Sequence, residues 1–68
     1  MLNKENVISI EIHHNPGYDA FIKVQDTKTY ESERIDLHLD EANTDNINTI
    51  VNKYKAMYPN SYTCSFIY

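Results

Sequence analysis

The sequence contains no tryptophan, one cysteine, one glycine and two prolines among its 68 residues. Because Cys64 is alone, the chain cannot form an internal disulfide, and a lone thiol is typical of a reducing cytoplasm. No run of about 18 apolar residues occurs, which excludes a membrane-spanning helix. Residues 1–6 lack the apolar stretch of a signal peptide. We therefore expect a cytoplasmic protein that does not bind membranes.

Positive charge is also scarce, since six Lys and Arg stand against ten Asp and Glu, for a formal net charge of −4. Binding along a nucleic-acid backbone depends on Lys and Arg that displace counterions. Aromatic residues such as Phe21 and Tyr30 could stack on RNA bases, but the accompanying cations are missing. Direct nucleic-acid binding is therefore not expected. An acidic chain suits a basic protein surface, or its charge serves solubility alone.

Signatures of catalysis are absent from the sequence. No serine lies in a nucleophile elbow, and no base stands near Cys64 to activate its thiol. Cys64 also falls on a predicted inward face, where a free cysteine behaves as a small hydrophobe. We therefore expect neither an enzyme nor a cofactor.

Three segments before residue 40 show the alternation of apolar and polar residues that is typical of strands. They cover residues 7–13, 18–25 and 33–39. Pro16 and Gly17 fit the central positions of a type II turn, which predicts an antiparallel hairpin between the first two strands. The apolar side chains of one face are Ile8, Ile10, Ile12, Ala20, Ile22, Val24, Ile35, Leu37 and Leu39.

After residue 43 the period of the apolar residues changes to three and four. Asn43 or Thr44 can cap a helix here, and Pro59 prevents its continuation. A fourth strand is predicted over residues 62–68, with Cys64 and Phe66 on the apolar face. The apolar stripe of the helix consists of Ile47, Ile50, Val51, Tyr54, Met57 and Tyr58.

The order β-β-β-α-β predicts a two-layer α+β sandwich, in which a mainly antiparallel four-stranded sheet carries one helix on one face. No repeat or linker appears, so residues 1–68 are predicted to form a single small domain. A chain of this length buries only about 60% of the surface of its unfolded form. A core this thin gains from an oligomeric contact.

The largest charged feature lies between residues 31 and 45, where Arg34 is the single cation. We predict that this segment and Phe21, on the outer sheet face, bind a partner protein. The six carboxylates of the segment are Glu31, Glu33, Asp36, Asp40, Glu41 and Asp45.

The function that follows is that of a small non-catalytic interaction module, which docks on another protein with a basic surface. Scarce glycine beside many Asn, Ile and Tyr is typical of AT-rich codons, which indicates a low-GC bacterium or its phage. In that setting the sharper hypothesis is a phage or mobile-element inhibitor of a host nucleic-acid enzyme. Its carboxylates would then imitate DNA phosphates.

Two alternatives stay open. The first is a homodimeric accessory protein, held by the outer sheet face around Phe21 or by an edge strand. The second is a metal-binding domain, because Asp36, His38 and Asp40 alternate along the third strand and His13 points the same way from the first. In a simple meander the second strand separates these groups by two spacings of about 4.8 Å, which favours an ordinary polar face.

Overall fold

The computed structural model describes residues 2–67 and contains one helix and one four-stranded sheet. Its elements are β1 (Ile8–His14), β2 (Ala20–Asp26), β3 (Ser32–Leu37), α1 (Thr44–Met57) and β4 (Ser61–Ile67). The predicted α+β class and order of elements are confirmed, and each predicted strand end lies within two residues of the observed one. Tyr68, the last residue of the predicted fourth strand, lies outside the described residues.

The strands lie in the order β3-β2-β1-β4, and β1 pairs antiparallel with β2 but parallel with β4. The prediction of a mainly antiparallel sheet is therefore wrong, because the sheet is mixed. The reason is the crossover through α1. Two reversals leave β1 and β3 running the same way, and a helix that returns along the sheet starts the next strand parallel to them.

The first hairpin contains the predicted turn. The backbone N–H of Tyr18 donates to the carbonyl of Asn15 at 2.9 Å. Gly17 has φ of +88°, which residues with a Cβ rarely adopt and which the third position of a type II turn requires. This turn fixes the register of β1 and β2, in which Ile10 lies opposite Val24 and Ile12 opposite Ile22.

The core lies between the two central strands and α1. Ile8, Ile10, Ile22 and Val24 are fully buried, and full burial of such a side chain stabilises the fold by about 1.5–3 kcal/mol. From α1 and its end come Ile47, Val51 and Tyr58, which belong to the same cluster. Leu2 also lies in this cluster, 5% exposed, although the sequence of residues 1–6 gave no periodic signal for it.

The prediction for the faces of β4 is wrong. Cys64 lies beside Glu11 and Phe66 beside His13, so both face away from the helix. The residues on the helix side are Thr63 and Ser65, and both are exposed. Because α1 leaves this part of the sheet uncovered, short hydroxyl side chains suffice there.

Two other predicted core residues are exposed, Leu39 to 58% and Met57 to 47%. β3 ends at Leu37, because the chain then turns back through hydrogen bonds from the Glu41 and Ala42 N–H groups to the His38 carbonyl. The predicted alternation therefore does not extend to Leu39. Met57 is the last residue of α1.

The helix begins where the sequence predicts. Asn43 is the N-cap, and its side-chain oxygen accepts a hydrogen bond from the Asn46 N–H at 2.9 Å. Asp45 lies in the first turn and Lys55 in the last, where each charge is stabilised by the helix dipole.

Asp26, at the end of β2, is fully buried and joins three parts of the chain. Its carboxylate accepts hydrogen bonds from the Asn6 side chain at 3.0 Å, from the Lys28 N–H at 2.8 Å and from the Thr29 N–H at 3.2 Å. The hydrogen bond from Asn6, assisted by those from the backbone and opposed by burial, lowers the pKa of Asp26 from 3.8 to about 2. The charged form of Asp26 is therefore the one that the fold requires.

Replacing Asp26 should make stability less dependent on pH. Because its pKa is lowered by folding, the stabilisation is complete above about pH 4 and is lost as the pH falls towards 2. Asp26→Asn should therefore unfold at lower urea concentration at pH 7, and this difference should shrink between pH 4 and pH 2. The exposed Asp19→Asn is the control, with an expected change within about 0.5 kcal/mol at pH 7. A difference for Asp26→Asn that is as large at pH 2 as at pH 5 would contradict this role.

The helix cap can be tested by the same substitution at two positions. Asn43→Ala removes the cap and should cost about 0.5–2 kcal/mol in the free energy of unfolding. Asn48→Ala changes an exposed residue inside α1, where alanine is the better helix former by up to about 0.7 kcal/mol. Urea unfolding followed by circular dichroism should give opposite signs for the two variants, and equal signs would argue against Asn43 as the cap.

Candidate functional site

The predicted partner surface follows β3, an end strand of the sheet, and continues through the loop into the start of α1. Its six carboxylates are all exposed. The span of β3 alone is about 17 Å at 3.3 Å per residue. The acidic side chains of Glu31, Glu33 and Asp36 thus form an acidic rim along the β3 edge of the sheet. Asp45 lies elsewhere, because its neighbour Thr44 lines an open pocket with Ser65 and Phe66 of β4.

Along β3 the acidic side chains lie on different sides of the sheet. Glu33 is paired with Val24 on the helix side and accepts a hydrogen bond from the Tyr54 hydroxyl at 3.4 Å. Burial, followed by the negative charge of Glu33, raises the pKa of Tyr54, so the phenol keeps its proton and serves as the donor. Asp36 lies on the outer side, where the Arg34 Nε donates to its carboxylate at 2.8 Å. Glu31 precedes the strand.

Asp40, Glu41 and Asp45, which we call the acidic corner, lie close together in sequence at the start of α1. The loop that carries them is held to the helix, because the Asn43 N–H and the Asn46 side chain both donate to the Glu41 carbonyl at 2.9 Å. The positive end of the helix dipole stabilises carboxylates at this position. The acidic corner is therefore negative, exposed and fixed in place.

A second feature, which the sequence analysis missed, crosses the outer face of the sheet. The Arg34 guanidinium lies 3.9 Å from the centre of the Phe21 ring. The Phe21 ring stacks on His13 at 4.2 Å between centroids, and His13 stacks on Phe66 at 4.7 Å. These four residues, the cross-strand stack, come from all four strands. Cross-strand pairing could have revealed it only once strand order and the face of Phe66 were known.

The cross-strand stack uses the ring faces of Phe21 and His13 inside the protein. Each of these rings has a neighbour on both sides, at 3.9–4.7 Å. Stacking on an unpaired base requires an open aromatic face, so these two rings are not arranged as a platform for bases. Phe21, which we predicted as a partner-binding residue, is half-buried within the stack.

The predicted metal ligands do not converge in the described part of the chain. β2 lies between β1 and β3, and His38 and Asp40 follow the end of β3 instead of alternating along it. The His13 Nε2 lies 3.0 Å from the Glu11 carboxylate, which gives this imidazole a partner next to it on its own strand. Among residues 2–67, no group of three or more His, Cys, Asp or Glu side chains is placed to hold a metal ion.

Comparison with known proteins identifies no relative, since no family model, curated protein or solved structure matches this chain. The single helix within residues 2–67 is too short and too polar to cross a membrane. Functional inference therefore depends on the surfaces described above.

The cross-strand stack can be measured by a double-mutant cycle. His13→Ala and Phe66→Ala should show a coupling free energy of about 0.5–1.5 kcal/mol, as stacked aromatic pairs do beyond their burial. The control cycle pairs His13→Ala with Tyr62→Ala, because Tyr62 lies on the same strand as Phe66 but beside Ser9. Urea unfolding of both sets should give near-zero coupling for the control. Equal coupling in the two cycles would show that the stack contributes no specific energy.

Proposed function

We propose that this protein is a small non-catalytic module that binds a basic surface of another protein through the acidic rim of β3 and the acidic corner. All six carboxylates between residues 31 and 45 are exposed, and this exposure is the main support for the proposal. The one cation of the segment, Arg34, already contacts Asp36 and Phe21. The net charge of this segment is therefore strongly negative.

Preorganisation supports this binding mode. The acidic corner lies on a loop whose backbone is hydrogen-bonded to the start of α1, so little conformational entropy is lost when a partner binds. Surface charges of this kind raise the association rate and select partners of opposite charge. Binding should accordingly weaken as salt is added.

The more specific form of the proposal is an inhibitor, encoded by a phage or mobile element, that occupies the cationic groove of a host nucleic-acid enzyme. The exposed carboxylates on the two sides of β3 and on the acidic corner could replace the phosphates that such a groove binds. The composition of the chain, with one glycine and six tyrosines, supports this setting through its AT-rich coding bias.

Capture from a low-GC bacterial lysate tests the proposal when two charge-reversed variants are compared with the native chain. Asp40→Lys/Glu41→Lys changes the acidic corner, whereas Glu5→Lys/Asp19→Lys changes two exposed acids elsewhere. Replacing each acid by lysine adds two charges, so both variants have a formal charge of 0 instead of −4. Mass spectrometry should identify a basic nucleic-acid enzyme on the native chain and on the second variant, but not on the first.

Either of two results would contradict the proposal. One is a partner that the two variants bind equally, which would make net charge and not the acidic corner the determinant. The other is a bait that captures no protein even at low salt. Circular dichroism of both variants should show the native helix content, because the exchanged side chains are exposed.

A further inference from the structure

The two end strands of the sheet differ in charge. β3 carries Glu33, Arg34 and Asp36, with Glu31 just before it. The sequence of β4, SYTCSFI, contains no charged residue, no proline and no glycine. Proteins commonly protect end strands with charges, prolines or bulges, because the free backbone groups there pair readily with another strand. β4 has none of these protective features.

The backbone of β4 presents free pairing groups on the side away from β1. The Ile8 N–H donates to the Asn60 carbonyl at 3.0 Å, and the backbone groups of alternate residues in a strand point the same way. Tyr62, Cys64 and Phe66 therefore direct their N–H and C=O groups towards β1. Thr63 and Ser65 direct theirs outwards.

From this arrangement we propose that β4 pairs antiparallel with the β4 strand of a second copy of the chain, about a two-fold axis at Cys64. The two sheets then join into one of eight strands, in the order β3-β2-β1-β4-β4-β1-β2-β3. This proposal does not rest on the proposed function, because it is argued from the residues of β4 alone, whereas β3 lies at the opposite end of each sheet.

Self-complementarity identifies a second copy as the occupant. Cys64 is the middle residue of the seven in Ser61–Ile67, so a two-fold axis there aligns the whole strand with its copy. Tyr62 of each chain then lies opposite Phe66 of the other chain, which gives two aromatic pairs. Such cross-strand aromatic pairs stabilise sheets. Thr63 lies opposite Ser65 of the other chain. The outward N–H and C=O groups of these two residues form one of the closely spaced pairs of hydrogen bonds in an antiparallel ladder.

Electrostatics also favours this edge. Two chains of formal charge −4 repel each other, and pairing through β3 would bring the charged side chains of the two β3 strands close together. Pairing through β4 introduces no like charges at the contact. Phe66, which is 41% exposed, and Tyr62, which is 47% exposed, become covered and extend the cross-strand stack from one chain to the next.

The register can be tested by disulfide trapping of the native chain. Cys64 lies opposite itself as a non-hydrogen-bonded pair, in which the Cα atoms are about 4.5 Å apart, within the range of about 4.4–6.8 Å that a disulfide spans. Diamide should therefore convert the chain rapidly to a covalent dimer. The two thiols form one S–S bond, and their two electrons and two protons pass to the azo group of diamide.

A displaced cysteine is the matched control. In Tyr62→Cys/Cys64→Ser the two thiols lie four residues apart along the paired strands, a separation of about 13 Å. The native position should cross-link faster by roughly tenfold or more, even though residue 62 is the more exposed. Equal rates, or a faster rate for the displaced cysteine, would overturn the proposed register.

Sedimentation without oxidant tests the association itself. The native chain should change from its monomer mass of 8.0 kDa to twice that value as its concentration rises from about 10 μM to 1 mM. Thr63→Lys/Ser65→Lys places lysines opposite one another and should remain monomeric, with unchanged circular dichroism. Ser32→Lys/Asn48→Lys adds the same charge at exposed positions on β3 and α1 and should still dimerise.

Two results of the sedimentation experiment would overturn the proposal. The first is a native chain that stays monomeric up to 1 mM. The strand that pairs with β4 would then have to come from an extended segment of a different protein. The second is a Thr63→Lys/Ser65→Lys variant that associates as strongly as the native chain. Loss of partner capture by the acidic-corner variant would affect neither result, so the two proposals fail independently.

Discussion

A single helix covers only part of one face of the four-stranded sheet, and the other features of the fold follow from this partial coverage. α1 has 14 residues, a length of about 21 Å, and its buried side chains lie over the central strands β1 and β2. On the same side of the sheet, Thr63 and Ser65 of β4 remain exposed. The opposite face has no covering layer among the described residues, so its own side chains must stabilise it. The cross-strand stack of Arg34, Phe21, His13 and Phe66 meets that requirement.

The partial coverage by α1 leaves both end strands open to partners, and the two strands differ in the residues that they present there. β3 is charged, which discourages pairing with another strand and suits a cationic surface. β4 is uncharged and has outward backbone groups at Thr63 and Ser65, which suits pairing with a strand of the same kind. A dimer through β4 would present the two β3 strands at its far ends, so self-association would leave the acidic rim of β3 exposed.

Much of the fold could be predicted from the sequence because the apolar periods are strong. The alternation of Ile8, Ile10 and Ile12 and the stripe of Ile47 and Val51 identified the elements and the helix face. The residues of β4 alternate without a clear apolar side, so only its register against β1 decides that Phe66 joins His13. The strand order could not be predicted from the sequence either. Without the strand order, the cross-strand stack could not be predicted. The role of Asp26 could not be predicted either, because Asn6, whose side chain donates to its carboxylate, lies 20 positions away.

Amide hydrogen exchange at several protein concentrations shows whether the two end strands have different partners. The outward N–H groups are those of Thr63 and Ser65 on β4 and of Arg34 and Asp36 on β3. The Thr63 and Ser65 amides should become protected as the concentration rises, because a second chain pairs with β4, while the Arg34 and Asp36 amides keep exchanging quickly. Exchange at Thr63 and Ser65 that stays as fast as at Arg34 and Asp36 at every concentration would contradict this pairing.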